Sequence, residues 1–136
     1  MQKLNSLTIL DRTVKVLDTE PDLKVAIIYG SVVSKNMRED SDVDLAVLFD
    51  TPMDVERKMQ LIARLERELS RNVDLVDLAS ISGTILQQIL CKGQILLKND
   101  TSALARLLQK MVYHQTDMMP YVRRTLLERQ RRFVNG

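Results

Sequence analysis

Apolar residues recur at helical spacing at Leu7, Leu10, Val14 and Leu17, which predicts an amphipathic helix over residues 4–18. Glu20-Pro21-Asp22 ends it. Residues 24–29 are a continuous apolar, β-rich run that stops at Gly30, the pattern of a buried strand running into a turn. Residues 31–41 are polar. A second strand is predicted over 43–49, closed by Asp50-Thr51-Pro52. From 53 to 70, Val55, Met59, Ile62, Leu65 and Leu69 follow helical spacing with charges between them, and Asp54 is expected to pair with Lys58 one turn on. Residues 73–78 form a third strand. Ser80 is the expected N-cap of a helix from Ile81 to about Leu90. Gly93 breaks to a short strand over 94–98, and Asn99-Asp100-Thr101 is a turn or cap. Leu104, Leu107, Leu108, Met111 and Val112 make a helical stripe. Asp117 and Pro120 punctuate, and a basic helix is predicted from about Tyr121 to Phe133.

This order points to an α/β (α+β) fold, a mixed sheet with helices packed on it. The expected organisation is a domain over residues 1–100 and a C-terminal helical extension over 101–136. A chain of 136 residues fits one domain with an appended element. At 45% hydrophobic residues it can bury a core, which excludes wholesale disorder. Aromatics are 4% and Trp is absent, so that core must be aliphatic.

Charge changes the picture only locally. The net charge of +2 is too balanced to imply direct nucleic-acid binding. Residues 101–136 nevertheless carry a net +5, concentrated in Arg123, Arg124, Arg129, Arg131 and Arg132, and residues 1–100 sum to −3. A single cysteine, Cys91, excludes an internal disulfide framework. No apolar run approaches the roughly 20 residues of a membrane span, and the N-terminus has no secretory h-region. A cytoplasmic location is expected.

One constellation carries chemistry: Gly30-Ser31, ten residues, then Asp42-Val43-Asp44. Glycine at a strand end lets the backbone turn sharply and approach a ligand. Amide groups in such a turn, with the Ser31 hydroxyl, can cradle a phosphate. Asp42 and Asp44 are two apart, so both carboxylates point to one face. Paired carboxylates repel unless a cation lies between them, and hard oxygen ligands beside a phosphate suit Mg²⁺. The next strand offers Asp74 and Asp77, which have opposite parity. Asp74 is favoured because it lies near its strand's start, as Asp42 and Asp44 do. Three carboxylates and a phosphate turn make a two-metal phosphoryl-transfer centre.

The segment Gly30-Ser31-x10-Asp42-x-Asp44 resembles the signature of the DNA polymerase β nucleotidyltransferase superfamily, and the short length resembles its minimal nucleotidyltransferase branch. The resemblance covers roughly residues 22–98. It implies a mixed sheet flanked by helices and the use of Mg²⁺ with ATP. It also makes Gly30 and Ser31 the triphosphate turn, and Asp42, Asp44 and Asp74 the metal ligands and catalytic carboxylates. Many relatives carry Arg-Gly where this chain has Ser34-Lys35, and Lys35 or Arg38 is expected to supply the missing charge on the phosphates.

Members of that branch are often antitoxins of HEPN-domain ribonuclease toxins. The expected activity is therefore protein adenylylation, moving AMP from ATP to a hydroxyl, tyrosine foremost, of a cognate HEPN toxin in a hetero-oligomeric complex. Two alternatives stay open: a small-molecule nucleotidyltransferase of the aminoglycoside-modifying kind, and an antitoxin that neutralises by binding alone. HEPN nucleases need an Arg and a His four to six residues apart. Seven residues separate Arg106 from His114 here, so the chain is not expected to be the nuclease. Cys91 reads as a buried helix residue. The Met111–Met119 stretch reads as core or an adaptable partner surface, and the arginine cluster as a solvated face or partner contact.

Overall fold

The computed structural model describes residues 6–116, apart from 35, 36 and 39. The element order is α1 (Ser6–Leu17), β1 (Leu23–Tyr29), α2 (Ser31–Ser34), β2 (Val43–Phe49), α3 (Val55–Leu69), β3 (Val73–Asp77), α4 (Gly83–Lys92), β4 (Gln94–Lys98) and α5 (Thr101–Thr116), with a 3₁₀ turn at Leu78–Ser80. The four strands form one sheet in the order β3-β2-β1-β4. β1 pairs antiparallel with β2 and β4, and β2 pairs parallel with β3, so the sheet is mixed as expected. The parallel pair requires a crossover, which α3 supplies.

Helices cover both faces, and this explains why β1 runs unbroken in apolar residues from Val25 to Ile28. On one face Ile9 and Leu17 of α1 and Leu61, Leu65 and Leu69 of α3 pack on Ala26, Ile28, Leu45 and Val47. On the other, Leu86 and Ile89 of α4 and Ala103, Leu107 and Met111 of α5 pack on Val25, Ile27 and Ala46. The first turns of α5 thus belong to the same core as the sheet. Pairing between β1 and β2 shifts between Leu23 and Val25, leaving Lys24 as the extra residue of a bulge. Leu23 consequently faces α1 and α3, whereas Val25 faces α4 and α5.

Several local expectations are corrected. In α1 the buried residues are Ile9, Thr13, Val16 and Leu17, while Leu7 is 71% exposed. The Thr13 hydroxyl donates to the Ile9 carbonyl at 2.6 Å, so a nominally polar side chain sits inside with its donor satisfied. In α3 the stripe that meets the sheet is Leu61, Leu65 and Leu69, and Val55 and Met59 face outward. Apolar residues occupy more than one face of that helix, and packing selects among them. Asp54 caps α3, its carboxylate accepting from the Arg57 backbone N–H at 2.7 Å.

β3 stops at Asp77, because the chain turns 3₁₀ there, and Ser80 lies in that turn. The N-cap of α4 is Ser82, with Gly83 at φ 67° opening the helix. The polar stretch after Gly30 holds the single turn α2. α5 begins at Thr101, with Asp100 accepting from the Ala103 N–H at 3.1 Å. The basic helix expected over 121–133 lies outside the described residues. Among the described residues no helix is long and apolar enough to cross a membrane.

Candidate active site

Gly30 ends β1 in a left-handed conformation, φ 76°. A Cβ there would overlap the Asp44 carboxylate at Oδ2, so both the dihedral and the space require glycine. The chain then coils once. Gly30's carbonyl accepts from the N–H groups of Val33 (3.2 Å) and Ser34 (3.0 Å). The amides of Ser31 and Val32, at the head of that turn, lie outside the helical pattern. Ser31 is half-buried beside them.

Strand register brings the carboxylates together. Tyr29 is the cross-strand partner of Asp44 in β2, and Asp44 is the partner of Asp74 in β3. The three form one row across three adjacent strands. Asp42 is two residues before Asp44 and exposed, Asp44 is half-buried, and Asp74 is exposed. Burial, then the charges of Asp74 and Asp42, raise the Asp44 carboxyl above its ordinary value of 3.8. Burial, then the charges of Asp44 and Asp74, push the Tyr29 phenol up to about 12. Asp44 therefore feels the charges of Asp42 and Asp74, and Tyr29 those of Asp44 and Asp74. Among the described residues no group of three His, Cys, Asp or Glu side chains closes into a ready-made metal cage. The carboxylates are neighbours across the strands rather than a closed shell.

Asp77 has a different position. It is buried, and both oxygens are taken by backbone donors: Oδ2 by Met53 N–H at 3.1 Å, Oδ1 by Ala79 N–H at 3.0 Å. It fastens the end of β3 to the approach to α3. Arg38 lies on an exposed turn whose Ser41 N–H donates to the Arg38 carbonyl at 3.1 Å. Lys35 lies outside the described residues.

Two residues at this site escape a reading of spacing. Tyr29 was signalled only by strand parity with Val25 and Ile27, immediately before Gly30. Arg71, between α3 and β3, donates through Nη1 to the carbonyls of Arg38 (2.7 Å) and Ser41 (3.1 Å). Its partners are backbone atoms 33 and 30 residues away, which no motif encodes. Asp40, Ser41, Glu66, Ser70, Arg71 and Asn72 line a polar cavity of about 410 Å³, which contains none of the three candidate metal ligands.

A glycine turn after the first strand and paired acidic residues on the next, in a mixed sheet covered by helices, define a nucleotidyltransferase. The family model "Polymerase beta, Nucleotidyltransferase" matches residues 11–102, and the chain belongs to that family. Among curated proteins it is 34% identical over 95 residues to the protein adenylyltransferase MntA of Shewanella oneidensis. That match covers 69% of this chain and 66% of the relative, so the chain spans just under two thirds of the relative's length. Among solved structures, a toxin–antitoxin crystal structure with AMP-PNP contains a chain of 26% identity and TM-score 0.71 (88% of this chain, 95% of that one). A mutant MntA toxin–antitoxin complex contains one of 25% identity and TM-score 0.70 (92% and 97%).

Proposed function

We propose that this chain is a protein adenylyltransferase and the antitoxin of a toxin–antitoxin pair. It transfers AMP from ATP to a hydroxyl, tyrosine foremost, of a cognate HEPN-domain ribonuclease in the cytoplasm, and so silences it. The observation that carries the reading is the row Tyr29–Asp44–Asp74, with Asp42 beside it and the Gly30-Ser31 turn at its end, in a chain similar to MntA. The acceptor oxygen bonds to the α-phosphorus of ATP, the bond from that phosphorus to the bridging oxygen breaks, and pyrophosphate leaves with the electron pair. The acceptor's proton passes to a carboxylate or to water.

The donor set fits Mg²⁺. Asp42, Asp44 and Asp74 are hard oxygen ligands, and their mutual repulsion, felt at Asp44, is what a divalent cation relieves. They are the proposed metal ligands, and the metal when bound supplies charge neutralisation on the phosphates and activation of the acceptor hydroxyl. Gly30 leaves room for the Asp44 carboxylate, and the Ser31 amide and hydroxyl receive phosphate oxygens. Arg38 and Lys35 are the proposed further phosphate contacts. The segment from Thr101 onward is the proposed docking element. Its inner face is spent on the core, while Leu108, Val112 and Tyr113 stand 42%, 39% and 74% exposed on the outer one.

The test incubates the chain with ATP labelled at the α-phosphate, Mg²⁺ and the cognate toxin. Label on a toxin hydroxyl together with loss of ribonuclease activity is the expected result. A silenced toxin without label contradicts catalysis and favours a binding-only antitoxin. Label on an aminoglycoside in preference to the toxin favours the small-molecule enzyme.

A further inference from the structure

We infer that Arg71 is a positioning residue for adenylyl transfer: its guanidinium holds the 38–41 turn so that Arg38 and Asp42 face the nucleotide. The inference rests on the transfer reading above and adds a residue that touches neither nucleotide nor acceptor.

The turn lies on the chain segment that leads from the Gly30-Ser31 phosphate loop to Asp42, while β1–β2 pairing sets Tyr29 against Asp44. Among the described residues it carries the bonds Ser41 N–H to the Arg38 carbonyl (3.1 Å) and Arg38 N–H to the Ser41 hydroxyl (2.8 Å). The Arg38 N–H bond is exposed, as is the Arg71 bond to the Arg38 carbonyl, but the turn's own bonds are between neutral groups and are weak restraints by themselves. Arg71 adds a third restraint from outside. One nitrogen, Nη1, reaches the carbonyls of both end residues of the turn, at 2.7 and 3.1 Å. A charged donor on two acceptors makes stronger hydrogen bonds than a neutral one.

The other end of this tether is equally fixed. Ser70, preceding Arg71, is the left-handed cap of α3 (φ 54°), its N–H bonded to the Glu66 carbonyl at 2.8 Å. Asn72, following it, gives its carbonyl to the Val43 N–H at 2.9 Å, between Asp42 and Asp44. The Val73 N–H is held by Glu66 Oε2 at 2.9 Å. Arg71 is thus anchored at the start of β3, three residues before Asp74, and its side chain locks the approach to β2. It adds to the β2–β3 pairing that already sets Asp44 against Asp74 by extending the link to the turn before Asp42. A group held this way must sit within a fraction of an ångström for the reacting atoms to align.

A lysine keeps the charge and a single donor nitrogen, as Nη1 is here, but loses the planar fork that aims it. An alanine loses both. The measurements are kcat and KM for ATP, equilibrium affinity for AMP-PNP, and amide exchange of residues 37–43, on R71A, R71K and wild type with the cognate toxin. A control is R12A, whose guanidinium also donates to a backbone carbonyl on α3 (Glu68, 3.3 Å) away from the site.

In R71A, kcat/KM for ATP should fall about 10- to 100-fold at a temperature where the protein is fully folded. AMP-PNP affinity should fall and exchange over 37–43 should quicken. R71K should recover much of the loss, and R12A should match wild type. Wild-type kinetics and nucleotide affinity in R71A overturn the inference. So does a loss that vanishes once activity is corrected for the folded fraction, since that marks a purely structural bond. A wild type that binds AMP-PNP but transfers nothing contradicts the transfer reading, and the affinity and exchange comparison then still decides Arg71's role.

Discussion

Two groups of acidic side chains are treated in opposite ways by this fold. Glu20 and Asp22, between α1 and β1, are matched by arginines of α3. Arg57 forks onto Asp22 at 2.8 and 2.6 Å and reaches Glu20 at 3.4 Å, and Arg64 meets Glu20 at 2.8 Å. Arg57 also lies over the Phe49 ring, 3.9 Å from its centroid. The Asp22 carboxyl is accordingly held below its ordinary value by its hydrogen bond to Arg57. At the other group, among the described residues, no ion pair engages Asp42, Asp44 or Asp74. The Asp44 carboxyl is raised. One acidic group is neutralised by the chain itself and serves as a brace. Among the described residues the other has no cation against it, the mark of charge reserved for a ligand.

Removing either outlying acid of the second group should have the largest effect. Asp42→Asn and Asp74→Asn should each lower AMP transfer by orders of magnitude while the far-ultraviolet dichroism stays native, because an amide oxygen is a poor ligand for a hard divalent cation. Native-like transfer in either variant removes that residue from the site. Asp77→Asn should invert the pattern. One of two part-buried backbone bonds is lost, costing about 1 kcal/mol of stability by denaturant titration. Transfer per folded molecule should hold.

Arg57→Ala probes the braced group. It should cost about 1 kcal/mol, since the ion pairs and the ring contact are all partly exposed, and leave transfer intact. If it abolishes transfer, the two groups are not separable.

The smallest effect is on pH dependence, and its sign differs between the groups. Asp44, raised above 3.8, holds its proton more tightly in the folded state. Its contribution favours folding fully below 3.8 and is lost as pH rises through the raised value. Asp22, lowered from 3.8, contributes stability above that value and loses it as pH falls through the lowered one. Metal-free protein taken down from neutral pH should therefore first gain and then lose thermal stability from these two groups. Asp44→Asn should erase the first limb and Arg57→Ala weaken the second.

The sequence made much of this visible, for physical reasons that can be named. β1 from Val25 to Ile28 and β2 from Leu45 to Phe49 are unbroken apolar runs because both faces of the sheet are covered, and Gly30 and the Asp42/Asp44 pair mark ends of strands. These are local signals. Helix phase was less legible. Leu7 and Met59 fit helical spacing as well as Ile9 and Leu61, and Thr13 hides its polarity in a bond to its own helix. Asp74 and Asp77 differ in parity, but the row linking Tyr29, Asp44 and Asp74 depends on strand order and register, which are properties of the sheet. Arg71 was invisible because its partners are backbone carbonyls, whose sequence is irrelevant to the bond.

The contrast between the two acidic groups is tested most directly by measuring Tm and AMP transfer side by side for Asp44→Asn and Asp22→Asn in metal-free and Mg²⁺-supplied protein. Asp44→Asn should raise the Tm of the metal-free protein, because a repelling charge is gone, and abolish transfer. Asp22→Asn should lower the Tm and leave transfer per folded molecule unchanged. A destabilised but active Asp44→Asn variant would contradict the assignment of that carboxylate to the ligand rather than to the fold.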